Sequence, residues 1–131
     1  MIYIKVTNKT SFETSDIKKL IYACSKLARG SRKRLKHLRV ITKYARKSYW
    51  SNKSEPRGRA TLGGYWISLG LPREFTTENK RCLAGVIVHE LLHSVGKGHT
   101  RRVGHIMNGS YKPSEAGVDP LFKFADNFEI R

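Results

Sequence analysis

Apolar and polar positions alternate at the start of the chain, with Ile2, Ile4 and Val6 set against Tyr3 and Lys5. A period of two with β-branched side chains predicts a first strand. The period then lengthens. Ile17, Leu20, Ile21, Cys24, Leu27 and Ala28 recur at helical spacing, and Lys18, Lys19 and Lys26 fall off that stripe. Thr14 or Ser15 is placed to cap this helix, Asp16 sits in its first turn where the dipole favours an anion, and Gly30 is placed to end it. Leu38, Val40 and Thr42 alternate with Arg39, Ile41 and Lys43, which predicts a second strand. From Ala45 to Arg59 the pattern yields no element, and Ser51 to Gly58 is a loop by composition.

Periodicity returns at Ala60. Ala60-Thr61-Leu62 and Tyr65-Trp66-Ile67-Ser68-Leu69 flank Gly63-Gly64, a pair suited to the positive φ angles of a two-residue hairpin loop. Gly70 and Pro72 close the hairpin. Thr76 or Thr77 can cap a further helix, with Glu78 and Asn79 in its first turn. Leu83, Val86, Ile87, Glu90, Leu91 and Val95 form its stripe, and Gly96 stops it. Residues 98–112 read as a structured loop. Asp119-Pro120 then opens a short terminal helix whose apolar face is Leu121, Phe122, Phe124, Ala125 and Phe128.

These elements predict one α/β (α+β) domain over residues 1–131, with a twisted mixed sheet of three to five strands. Residues 1–78 would supply the sheet, the first helix and a basic region. Residues 79–131 would supply the second helix, the structured loop and the terminal helix. At 131 residues, with 39% apolar and 27% charged positions, the chain suits a soluble globular domain. No apolar run is long enough to cross a bilayer, and the first residues lack the pattern of a signal peptide. An intracellular, cytoplasmic monomer is expected, with a virus or mobile element as one conceivable origin. Cys24 and Cys82 are too few for a disulfide framework and read as reduced, partly buried residues. A bond between the two is left open.

The second helix carries the chemistry. His89-Glu90-Leu91-Leu92-His93-Ser94-Val95-Gly96-Lys97-Gly98-His99 has the form H-E-x-x-H-x-x-G-x-x-H. Two histidines four apart lie on one helix face, one turn apart, where a single ion can join them. Glu90 is turned about 100° from His89. Its carboxylate can sit beside a water on the metal without taking a ligand position. Gly96 lets the chain turn back, so that His99 can return as a third nitrogen ligand. Three neutral nitrogens leave a fourth position open, the arrangement of a catalytic Zn2+. Zinc lowers the pKa of its water, and Glu90 is placed to take the proton. His105 is the alternative third ligand but needs a longer excursion. Tyr111 is a candidate donor to a developing oxyanion, and His37, among basic residues, reads as a solvated surface histidine.

This segment resembles the metzincin zinc peptidases, and most closely the matrixins. The resemblance implies that His89, His93 and His99 are zinc ligands, that Glu90 is the general base, and that Met107, eight residues after His99, is the Met-turn residue beneath the metal. It implies a zinc endopeptidase acting on protein or peptide substrates. It also implies a sheet in which an antiparallel edge strand, here Ala60, Thr61 and Leu62, pairs with the strand leading to the zinc helix and receives extended substrate. The likeness is sharp over residues 86–107 and schematic before them. Asn108-Gly109 stands where matrixins often have an aromatic residue and a proline, and acids are too few for that family's calcium sites.

Charge changes the picture of partners. Lys and Arg number 26 against 10 acids, a net of +16. Half of the basic residues lie between Asp16 and Glu55, where there is no acid. Such a field attracts nucleic acid, anionic surfaces or acidic proteins. Arg32, Lys33, Arg34, Lys36, Arg39, Lys43, Arg46 and Lys47, with Tyr44, Tyr49 and Trp50 close by, are the candidate polyanion-binding residues. Two readings result. In one, the chain is a zinc endopeptidase, directed in one version to acidic or nucleic-acid-associated proteins. In the other, it is a nucleic-acid-binding module whose zinc site is structural or vestigial. The intact Glu90 favours the first, because a structural site has no use for a base.

Overall fold

The computed structural model describes residues 3–27, 37–45, 57–60, 65–96, 98 and 125–131. The elements run β1 (Tyr3–Asn8), α1 (Thr14–Leu27), β2 (His37–Tyr44), β3 (Arg57–Ala60), β4 (Trp66–Leu71) and α2 (Thr77–Ser94). They form one four-stranded sheet in the order β1-β2-β4-β3. β1, β2 and β4 are parallel, and β3 is an antiparallel edge on β4. The chain is thus a small mixed α/β domain. Among the described residues no helix is long and apolar enough to cross a membrane.

The alternation read from the sequence is the alternation of burial. Ile4, Leu38, Val40, Ile67, Leu69 and Leu71 turn to one face and are nearly inaccessible, while Lys5, Arg39, Ile41, Lys43 and Trp66 turn to the other and are exposed. The covered face receives both helices. From α1 come Ile17, Leu20, Ile21 and Cys24. From α2 come Leu83, Ala84, Val86, Ile87, Val88, Leu91 and Leu92. Each fully buried Ile or Leu in this cluster contributes about 1.5–3 kcal/mol. Cys24 lies in it at zero exposure, and burial pushes its thiol up to about 12. Neither Cys24 nor Cys82 forms a disulfide.

Two features tie the layers at the ends. Asn8 closes β1 with its side chain: Oδ1 accepts from the Thr10 amide, the Thr10 hydroxyl and the Thr42 hydroxyl of β2, at 3.0, 2.6 and 2.8 Å. Its Nδ2 donates to the Phe12 carbonyl at 2.6 Å and to Thr14 Oγ1 at 3.2 Å, at the start of α1. At the other end, Arg81 of α2 holds Asp126 by two hydrogen bonds of 2.8 and 2.6 Å, which keeps the Asp126 carboxyl below its usual range. Ala125, the first described residue of the terminal segment, is buried against the core.

The edge strand begins earlier than the sequence suggests. Arg57 and Gly58 belong to β3, although composition marks them as loop. Arg-Gly-Arg has little strand preference of its own, and pairing with β4 supplies the order. Partner numbers across β3 and β4 sum to 127 throughout, from Arg57↔Gly70 to Ala60↔Ile67. That sum is what pairing across a two-residue loop at 63–64 requires. The loop itself, with Thr61 and Leu62, lies outside the described residues.

Candidate metal centre

α2 begins with Thr76, whose backbone is extended and whose side chain accepts from the Asn79 amide at 3.1 Å. It ends at Ser94. Val95 caps it, and Gly96 comes next at φ +98° with its amide donating to the His93 carbonyl at 2.9 Å. A side chain at Gly96 would meet nothing within 4 Å. Glycine is therefore favoured there by backbone conformation and not by crowding. The stop expected at this residue is present, and it falls one turn beyond the second histidine.

His89 and His93 stand on the half-buried side of the last two turns. Their rings meet edge to face, with centroids 4.6 Å apart and planes at 88°. Their Nε2 atoms face each other at 3.0 Å. Two nitrogens bound to one tetrahedral zinc, at about 2.0–2.1 Å each, stand roughly 3.3 Å apart. The pair is therefore near the separation that a shared ion imposes, and it fits zinc chemistry in donor type as well. Among the described residues no group of three His, Cys, Asp or Glu side chains is assembled. His99 and the alternative His105 lie outside the described residues.

Glu90 faces a different environment from its neighbours. It is only 6% exposed, and its Oε2 has no hydrogen-bond partner among the described residues. Burial pushes its carboxyl up to about 7. A carboxyl near neutrality is matched to taking and returning a proton at physiological pH. A cation held at the imidazole pair would favour the carboxylate and pull that value down.

Ser94 was not legible as part of this region. It lies one turn after Glu90, is fully buried, and its hydroxyl also lacks a partner among the described residues. The only signal in the sequence is the four-residue step from Glu90, which many helices contain.

The other expected residues divide cleanly. Ala60 closes β3, partly buried against the core, at the antiparallel edge beside the strand that leads to α2. Arg39 and Lys43 lie exposed on β2. His37 opens β2 and is exposed as expected, with its ring 5.8 Å from that of Tyr3. Tyr44 is tied to Ser11, its hydroxyl accepting from the Ser11 amide at 3.0 Å, and Arg73 stacks on its ring at 3.8 Å. Met107, Tyr111, Arg32, Lys33, Arg34, Lys36, Arg46, Lys47, Tyr49 and Trp50 lie outside the described residues, as do Gly30 and Leu121 to Phe124. No protein-family model matches the chain, and no curated protein matches its sequence.

Proposed function

We propose that this chain is a zinc-dependent endopeptidase of the metzincin type. The observation that carries the reading is the end of α2. Two imidazole nitrogens face each other at 3.0 Å, and the residue next in sequence to His89 carries a buried carboxyl whose Oε2 has no partner among the described residues. His89 and His93 would hold the metal with His99 as the third ligand. Zinc bound there would polarise a peptide carbonyl and acidify a water. Glu90 would take the water's proton and return it to the departing amine, which needs a carboxyl able to hold a proton near neutral pH. Met107 would lie beneath the metal, and Tyr111 would steady the developing oxyanion.

The sheet supports the same reading. β3 is an antiparallel edge strand, and its partner β4 leads directly to α2. An extended substrate could add to that edge through its backbone, a common mode of peptide recognition. Ala60, with Thr61 and Leu62 beyond it, would form the meeting line.

Two measurements test the proposal. The purified protein should hold one zinc per chain, and His93→Ala should lose it. Wild type should cleave an unstructured protein substrate, and Glu90→Gln, with zinc retained, should not. Equal cleavage by the two proteins would remove Glu90 from the mechanism. Zinc retained in full by His93→Ala would remove the metal centre.

A further inference from the structure

Among the described residues, the helices α1 and α2 cover one face of the sheet and leave the other open. Parallel strands are ordinarily buried on both faces, yet here three parallel strands present a face to solvent. Its composition is one-sided. β1 contributes Tyr3, Lys5 and Thr7; β2 contributes His37, Arg39, Ile41 and Lys43; β4 contributes Trp66, Ser68 and Gly70. None of the four strands contains an acid. Large apolar groups lie open on this face, with Tyr3 63% exposed, Trp66 43% and Ile41 40%.

Register brings these groups together. Lys5, Arg39 and Trp66 are direct partners across three strands, so two cations and an indole form one row. Tyr3 and His37 form the next row, their rings in edge contact. Lys43 lies on the same face of β2, four residues beyond Arg39. Strands are about 4.8 Å apart and rise about 3.3 Å per residue, so the groups from the Tyr3–His37 row to Lys43 span roughly 10 Å across the strands and 20 Å along them. Arg59 and Arg57 of β3 hold the register positions opposite Ser68 and Gly70.

A merely solvated face would not be built this way. Like charges directly opposite on a sheet are destabilising, and no acid of the four strands offsets Lys5 beside Arg39. Exposed indole and phenol rings add an apolar cost. An anionic partner with flat apolar groups relieves both at once. Nucleic acid has that chemistry, and single strands leave their bases unstacked and available to aromatic side chains. A duplex hides its bases, and an acidic peptide or anionic bilayer offers charge without rings.

We propose that the open face of the sheet, through Tyr3, Lys5, Arg39, Lys43 and Trp66, binds single-stranded nucleic acid. Phosphates lie along the Lys5, Arg39 and Lys43 cations, and a base stacks on Trp66. This surface is separate from the imidazole pair, since α2 packs on the opposite face. The inference therefore stands whether or not the peptidase reading does.

The test uses the full chain and fluorescent twelve-nucleotide oligothymidine and oligouridine, titrated by anisotropy at several salt concentrations. Binding to at least one is expected at low salt, with weaker binding to a duplex of equal charge. Trp66→Ala should weaken binding about tenfold or more. Lys5→Gln with Arg39→Gln should lower the salt slope by about 1.4, at about 0.7 per contact for a single strand. In a Trp50→Phe background, the fluorescence of Trp66 should be quenched on binding. Photocrosslinking of iodouracil-containing oligonucleotide to wild type needs no substitution of the face, and its adducts should map to Tyr3 or Trp66. Adducts confined to residues 29–36 and 46–50, unchanged affinity in the Trp66 and Lys5/Arg39 variants, or equal competition by polyglutamate or anionic vesicles at matched charge would each overturn the proposal.

Discussion

Glu90→Gln tests what burial does to the carboxyl beside the imidazole pair. The substitution keeps the side chain's shape and removes its titration. In the metal-free protein, the Glu90 carboxyl is moved from 4.5 to about 7 by burial. Because the folded value is raised, the native state keeps the proton between these two values while the unfolded chain has released it. The stabilising contribution is therefore complete below pH 4.5 and is lost as pH rises through 7. At about 1.4 kcal/mol per pKa unit, the loss comes to about 3 kcal/mol, of which most is felt by pH 8. Urea unfolding in a chelator, at pH 5 and pH 8, should show the gap between Glu90→Gln and wild type widening by about 2–3 kcal/mol in favour of the variant at the higher pH. The buried amide brings its own cost, but that cost does not depend on pH and cancels in the comparison. A gap that is the same at both pH values would refute the reasoning. Glu90 is then a residue whose charge the fold carries at a cost, a pattern associated with functional groups.

The geometry sets three further outcomes. Gly96→Ala should destabilise the protein by about 1 kcal/mol in thermal unfolding, because the residue sits at φ +98° although space is open around it. A stabilising effect would show that the backbone relaxes out of that conformation. Asn8→Ala should cost about 1–3 kcal/mol in urea, since it leaves the fully buried Thr42 hydroxyl without its acceptor. An unchanged midpoint would mean that the side-chain hub is idle. Cys24 should resist alkylation at pH 8 until the chain unfolds, because burial holds its thiol at about 12, and mass spectrometry of native and denatured samples checks this. Rapid native labelling at Cys24 would contradict its place in the core.

Most elements were legible because their signal is local. β1, β2 and β4 alternate with a period of two, and α1 and α2 repeat at helical spacing, with Thr76 and Gly96 marking the ends of α2. β3 was legible only at Ala60, since the pattern yields no element as far as Arg59. Arg57 and Gly58 have no strand character of their own, and their order comes from hydrogen bonds to β4. The Asn8 hub was not legible at all. It joins the end of β1 to Thr42, 34 residues away, and nothing near Asn8 announces that partner. In the candidate site, the positions of His89, Glu90 and His93 relative to one another could be read directly, because all three share one helix and its geometry is periodic.

The amino-acid order alone determined which side chains alternate, where α2 stops, and that two imidazoles and a carboxyl occupy adjacent stations on one helix. These are consequences of periods of 2.0 and 3.6 and of backbone preference, and both act within a few residues. Tertiary structure decided what surrounds those stations. Burial in the folded chain takes Glu90 out of water and raises its carboxyl, while the two imidazoles stay half-exposed and face each other. The packing, by putting both helices on one face, leaves Lys5, Arg39 and Trp66 in a row on the other. Desolvation and cross-strand neighbourhood depend on segments far apart in the chain, so no local pattern could supply them.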